Sequence, residues 1–462
     1  MAKLVAIGDS LTQGSRSLAT TNVELSYPKL VAEALGLNAS QFRVPDFSGR
    51  GGLPFNLEWM ARKLEAEQGG DISLIDWPVS GIEIAKLLDR VEEYWERGPG
   101  AAPAADELYH NLAVWNFEVS DAYTTTAARC DERIGKPVDN WFKPPSHGRL
   151  RIARRVLNPA QTDARAGDTQ IDAARKLAAA EDGIEHLIVW FGSNNCLRCV
   201  LELEVRETGA ESPGPGSSYT LWSAAAFEEE YRRLAEGVTE IGADHVYVGT
   251  VPHVTLLPLL RGISREEGRG RRTAGLHHEH YTWMWIDPAD FDPDRDPHLT
   301  GEQIALLDER IDAYNRIIRQ VAGERGWQVV DVSSVIDRMA GRDGIDRVQG
   351  LLPEPIADLD MRYLEVDPSG RLKQGGLISL DGMHPTSCGY AMCAQAFIDA
   401  IREHEPAISD IDFAHVRRWD SLVSDPPRTL DDVAAMLRAV EGLLHISRWL
   451  LVSDAHGVVL RR

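Results

Sequence analysis

Cysteine is scarce in this chain of 462 residues: there are five, an odd number, which argues against a disulfide framework. Cys196 and Cys199 form a C-x-x-C pair, but no second pair exists to complete four zinc ligands, so reduced thiols are expected and a redox role stays open. Basic residues are also in deficit, 49 against 71 acidic, for a formal charge of −22. Such a surface repels phosphate backbones and excludes nucleic acid as a partner unless a local basic patch intervenes. No apolar run approaches the roughly 18–20 residues of a membrane helix, so no span is expected. The opening MAKLVAIGDS runs directly into a strand-like stretch, which leaves no room for a signal peptide, and a cytoplasmic location is expected. With 43% hydrophobic and 26% charged residues, the composition is that of a globular protein and excludes a disordered or fibrous one.

Several motifs of chemistry are missing too. There is no G-x-S-x-G, which argues against an α/β-hydrolase elbow. GRGGLP at 49–54 lacks the Lys-Ser/Thr of a P-loop. Asp292, Asp294 and Asp296 begin like an EF-hand loop, yet Pro297 stands where that loop needs glycine and Gln303 where it needs a bidentate glutamate. His277, His278 and His280 cluster without forming H-E-x-x-H, so no metal is assigned to them. With Tyr281, Trp283 and Trp285 they make an aromatic loop that either covers an apolar substrate or packs onto the body, and whether 277–299 is a lid stays open.

What is present is a rhythm. Short apolar runs at 3–8, 111–115, 187–192, 245–250 and 328–332 read as buried strands. Between them lie helical patterns at 27–36, 53–67, 82–96, 226–240 and, most clearly, 300–324. There Thr300 can cap, and Ile304, Leu307, Ile311, Tyr314, Ile317 and Val321 recur every three or four residues. Apolar runs separated by helices predict a parallel sheet covered on both faces, a three-layer α/β fold. Stretches 97–105, 211–218 and 262–275 read as exposed loops. Residues 1–404 are expected to form one domain with insertions, and 405–462 a helical extension packed on it, with helical patterns at 411–423 and 428–451.

Three features point to chemistry. The first run ends in Gly8-Asp9-Ser10-Leu11, and a serine just past the carboxyl end of a parallel strand sits where such sheets bind ligands. A helix cap is the plainer role for it. Asp381-Gly382-Met383-His384-Pro385 follows far along the chain; an aspartate three residues before a histidine can accept its Nδ1–H and leave Nε2 free to take a serine proton. After the run 187–192 comes Gly192-Ser193-Asn194-Asn195, where an asparagine amide can donate to a developing oxyanion.

In this order the blocks resemble those of the SGNH (GDSL-type) serine hydrolases: GDS, then a glycine, then G-x-N-D, then D-x-x-H. The matching blocks span residues 8 to 385, and the chain looks like a long form with insertions. The resemblance implies a flavodoxin-like α/β core and an ester substrate with no cofactor. It implies Ser10 as nucleophile, His384 as base, Asp381 as its orienting partner, and an oxyanion hole of the Ser10 amide and Asn194. Asn195 stands where the family usually has aspartate. The lone glycine has two candidates. Gly81 has the residue type; Asn116 has the better context, and asparagine tolerates the left-handed backbone such a position requires, so Asn116 is preferred. The substrate could be a simple ester, a lipid, a thioester or an acetylated sugar. The rival expectation is a catalytically silent binding or scaffolding protein on the same fold, supported by the replaced glycine and the negative charge.

Overall fold

Among the described residues, the computed structural model has nine strands in chain order: β1 (Ala2–Gly8), β2 (Ala19–Thr20), β3 (Leu53–Pro54), β4 (Ile184–Trp190), β5 (His245–Gly249), β6 (Leu260–Ile263), β7 (His280–Trp283), β8 (Leu299–Thr300) and β9 (Gln328–Val330). The structure describes residues 1–21, 23–68, 77–136, 143–211, 213, 218–263, 278–286, 288–340, 352–360 and 376–427. Four of the apolar runs form the central sheet, ordered β1–β4–β5–β9, with every neighbouring pair parallel.

Alternate side chains leave the sheet in opposite directions. Val5, Ile7, Leu187, Val189, Val246 and Val248 join one buried cluster. Leu4, Ala6, Ile188, Trp190, Tyr247 and Val330 join another. Each such apolar side chain is worth roughly 1.5–3 kcal/mol once buried. That is why these strands read as continuous apolar runs. Helices Gln170–Ala180, Ala224–Ile241 and Gly301–Arg325 pack on the first face; Tyr27–Ala34 and Ser387–Ile401 pack on the second. Helix Gly301–Arg325 begins as expected. Gln303 N–H donates to Thr300 Oγ1 at 3.2 Å while Thr300 N–H donates to Gln303 Oε1 at 2.8 Å, a reciprocal cap.

Some elements differ from expectation. The run 111–115 forms no regular strand; it lies along the free edge of β1, parallel to it. Ala6 N–H donates to His110 O (2.8 Å), Leu112 N–H to Ala6 O (2.9 Å) and Val114 N–H to Gly8 O (3.1 Å). The Ala113 amide is taken instead by the Asn111 side chain at 3.1 Å. The helix expected from 53 starts at Leu57, because Leu53 and Pro54 pair with β2. The one expected at 82–96 is longer, Trp77–Glu96.

β6, β7 and β8 make a small antiparallel sheet from the inserted segment. Trp283 and Trp285 stack there with centroids 5.3 Å apart, and both pack against the larger core cluster. His277 and most of 262–275 lie outside the described residues, as do parts of 211–218. In the tail, Phe413–Trp419 and Ser421–Ser424 are helical, and 428–451 lies outside the described residues. This tail meets the body through Cys388 N–H, which donates to Asp420 Oδ2 at 2.9 Å, and Arg16 Nη2, which donates to Ser421 Oγ at 3.1 Å. Among the described residues, no helix is long and apolar enough to cross a membrane.

Candidate active site

The carboxyl ends of β1 and β4, the edge segment beside β1, and the loop before helix Ser387–Ile401 converge on one point. β1 stops at Gly8, where an added Cβ would stand 2.3 Å from Thr12 Oγ1 and 2.6 Å from the Trp190 carbonyl oxygen, so only glycine fits. Asp9 then caps a short helix, Ser10–Gln13, by accepting the Leu11 N–H at 3.0 Å. Ser10 is the first residue of that helix, so its N–H is among those a helix start leaves without an internal acceptor.

Ser10, His384 and Asp381 are brought together from positions up to 374 residues apart. His384 Nε2 stands 3.0 Å from Ser10 Oγ, and His384 Nδ1 stands 2.7 Å from Asp381 Oδ2. With the proton on Nδ1 and donated to Asp381, Nε2 presents its lone pair to the serine hydroxyl. Asp381 is itself pinned by main-chain donors. Its Oδ1 accepts the N–H of Met383 and of His384, each at 2.8 Å, and its Oδ2 accepts the N–H of Leu18 at 2.8 Å. Burial alone would push this carboxyl up; the adjacent His384 and the hydrogen bonds outweigh it and hold Asp381 below the ordinary carboxylate value. Gly382 makes the loop possible: its φ is +70°, and a Cβ there would stand 2.8 Å from Leu259 N, which donates to the Gly382 carbonyl at 3.1 Å. The inserted β6–β8 unit therefore leans on the loop that carries His384.

Asn194 opens helix Asn194–Glu202 two residues after Gly192, whose φ of +128° turns the chain out of β4. One of its two amide hydrogens is donated to Phe117 O at 2.8 Å, which sets Asn194 against the turn at 114–117. That turn is closed by Phe117 N–H to Val114 O at 3.3 Å. Asn116 sits in it with φ of +60°, the left-handed backbone in which asparagine is tolerated. Gly81, the competing position, lies inside helix Trp77–Glu96 rather than at a strand end. Asn195 is turned to structure: its Oδ1 accepts Val119 N–H at 3.4 Å and its carbonyl accepts Trp222 N–H at 3.0 Å.

Sequence reasoning missed the polar residues that hold these parts in register. Gln13 Oε1 accepts the Trp115 N–H at 2.8 Å, tying the Ser10 helix to the Asn116 turn. Gln170 Nε2 donates to Gly8 O (3.0 Å) and Leu112 O (2.7 Å), clasping β1 to the edge segment. Ser17 and Leu18, at φ of +51° and +67°, turn their N–H groups onto Ser379 Oγ (2.9 Å) and Asp381. A buried polar residue within one turn of a candidate nucleophile was the available signal for Gln13; nothing marks Leu18.

Ser10, His384 and Asn194 are each 5% exposed, so hydrogen bonds to developing charge here act in a water-poor setting. Burial pushes the Asp9 carboxyl up to about 7, against the pull of the Leu11 N–H and of nearby His384. Cys196 and Cys199 lie buried in the helix behind Asn194. Burial holds the first well above the ordinary thiol value and pushes the second up to about 12, which suits inert thiols rather than redox partners. In the inserted loop, His278 packs edge-on to Tyr281, and His280, Phe291 and His298 pack against one another. No family model matches the chain, and no curated protein matches it. The likeness to SGNH hydrolases rests on the short blocks around Ser10, Asn194 and His384.

Proposed function

We propose that the chain is an SGNH-type serine hydrolase that cleaves carboxylic esters through an acyl-enzyme on Ser10. The observation that carries this reading is the relay Ser10 Oγ–His384 Nε2 at 3.0 Å and His384 Nδ1–Asp381 Oδ2 at 2.7 Å. In the proposed reaction Ser10 Oγ attacks the ester carbonyl as His384 Nε2 takes its proton. The tetrahedral oxyanion is held by the Ser10 and Asn116 amides and by the second Asn194 amide hydrogen. Collapse expels the alcohol, which receives the proton from His384, and water then repeats the cycle on the acyl group. Support for a flavodoxin-like core comes from the edge segment. If it is counted as the second strand, the order across the sheet becomes second, first, third, fourth, fifth, a doubly wound arrangement that binds ligands at the carboxyl ends beside the first strand.

The test is a fluorophosphonate probe together with p-nitrophenyl esters of increasing chain length. The parent should be labelled on Ser10 and turn over esters, and Ser10→Ala should fold, lose the label and lose activity by several orders of magnitude. Labelling that persists in Ser10→Ala would place the nucleophile elsewhere. A folded parent that neither labels nor hydrolyses any ester would favour the silent binding protein instead.

A further inference from the structure

The amino ends of the same parallel strands carry a second cluster of titratable groups, unrelated to the relay. Lys3 lies near the start of β1, Glu185 and His186 near the start of β4, and Glu405 just beyond helix Ser387–Ile401. At roughly 3.3 Å per residue, β1 separates this cluster from Ser10 by about 20 Å. His186 is fully buried and its Nε2 has no partner within hydrogen-bond distance. That nitrogen faces Glu405 Oε1 at 3.6 Å and Glu185 Oε1 at 3.7 Å. The other ring nitrogen is engaged, with Nδ1 3.2 Å from Tyr247 Oη.

These distances are too long for hydrogen bonds and suit something placed between the groups. Two ligands each ~2.0–2.1 Å from a tetrahedral zinc stand about 3.4 Å apart, close to the spacing found here. The ligand atoms of Glu185, His186 and Glu405 all lie within 4.8 Å of one another. We propose that Glu185, His186 and Glu405 form a binding site for one divalent transition-metal ion, zinc by preference, at the end of the sheet opposite Ser10.

The chemistry of the set agrees. One imidazole and two carboxylates suit zinc better than magnesium or calcium, which favour all-oxygen shells. Tyr247 Oη can accept the Nδ1–H and so fix the ring with Nε2 aimed at the ion, the outer hydrogen bond that ligating histidines usually make. Glu185 and Glu405 side chains remain 27% and 26% exposed, which provides a way in from solvent. Lys3 is the competitor: its ammonium contacts Glu185 Oε1 at 2.7 Å and also touches Glu405. An entering metal would displace it towards water, where its long side chain can follow.

Metal-stripped full-length protein titrated with zinc chloride in a calorimeter should take up one ion per chain, and magnesium chloride should give no heat above dilution. Glu405→Gln, at a partly exposed position, should fold and bind zinc about 100-fold more weakly. Lys3→Met should bind zinc more tightly than the parent. It should also be less thermally stable without zinc and regain the lost stability when zinc is added, whereas a plain ion pair would be lost without rescue. The proposal is overturned if the parent takes up no zinc, if Glu405→Gln binds it as tightly as the parent, or if zinc leaves the melting temperature of Lys3→Met unmoved.

Discussion

His384 and His186 are both buried beside carboxylates at opposite ends of one sheet, and they are held differently. Each ring nitrogen of His384 meets a partner at 3.0 Å or less, whereas Nε2 of His186 faces two carboxylates that stay 3.6 and 3.7 Å away. The cause lies in how the carboxylates are held. Asp381 is fixed by three main-chain N–H groups, which leave its charge directed at the imidazole. Glu185 and Glu405 share the Lys3 ammonium, which draws them off the ring. A carboxylate held by backbone can orient a histidine; one held by a mobile cation leaves room beside it.

The contrast is broken most severely at Asp381. If its role is to fix the His384 tautomer, Asp381→Asn presents an amide edge to Nδ1 and should lower kcat by on the order of 10⁴ with little change in KM. Steady-state kinetics on the best ester of the panel would measure this. Activity within a few-fold of the parent would make Asp381 a structural carboxylate, no different in kind from Glu185. Next in size is Asn194, for which loss of a side-chain oxyanion donor predicts a fall in kcat of about 10²–10³ for Asn194→Ala. An effect confined to KM would make it a substrate-binding residue.

The smallest effect sharpens a comparison within the site, between the two aspartates near His384. Asp381 is held below its ordinary value and Asp9 is pushed up to about 7. The folded state keeps the Asp9 proton up to about pH 7, while an unfolded chain releases it near 3.8, the ordinary value of an aspartate carboxyl. Between those values the folded state binds more protons, so the Asp9 contribution makes stability fall as pH rises through that window and level off above it. Asp9→Asn retains a good helix cap and removes this titration. Its melting temperature should therefore vary less than the parent's between about pH 4 and pH 7. An unchanged slope would assign the pH dependence to other groups.

Much of the candidate site was legible because its parts are local. Gly8-Asp9-Ser10, Gly192-Ser193-Asn194 and Asp381-x-x-His384 are each short blocks at a strand end or in a tight loop, and the positive φ of Asn116 follows from a property of asparagine itself. The parts that stayed hidden are contacts between distant residues. Gln170 on Gly8, Leu18 on Asp381 and His186 beside Glu405 all depend on how the sheet brings separate segments together. Helix Ser387–Ile401 was missed for a different reason: it is buried on most sides, so its apolar residues show no one-sided stripe. The run 111–115 looked like a strand and pairs with β1, but its outer side turns to side-chain partners instead of a further strand.

The separation of 374 residues between Ser10 and His384 also has a meaning in time. A ribosome adding about 5–20 residues per second needs roughly 20–75 s to travel from one to the other. Throughout that interval the emerging chain carries the serine and its helix but has neither the base nor the aspartate. On the proposed reading, hydrolysis is switched on only when the segment carrying Asp381 and His384 has been made and folded back onto Ser10. Nascent chains and early truncation products would then be harmless to the esters around them.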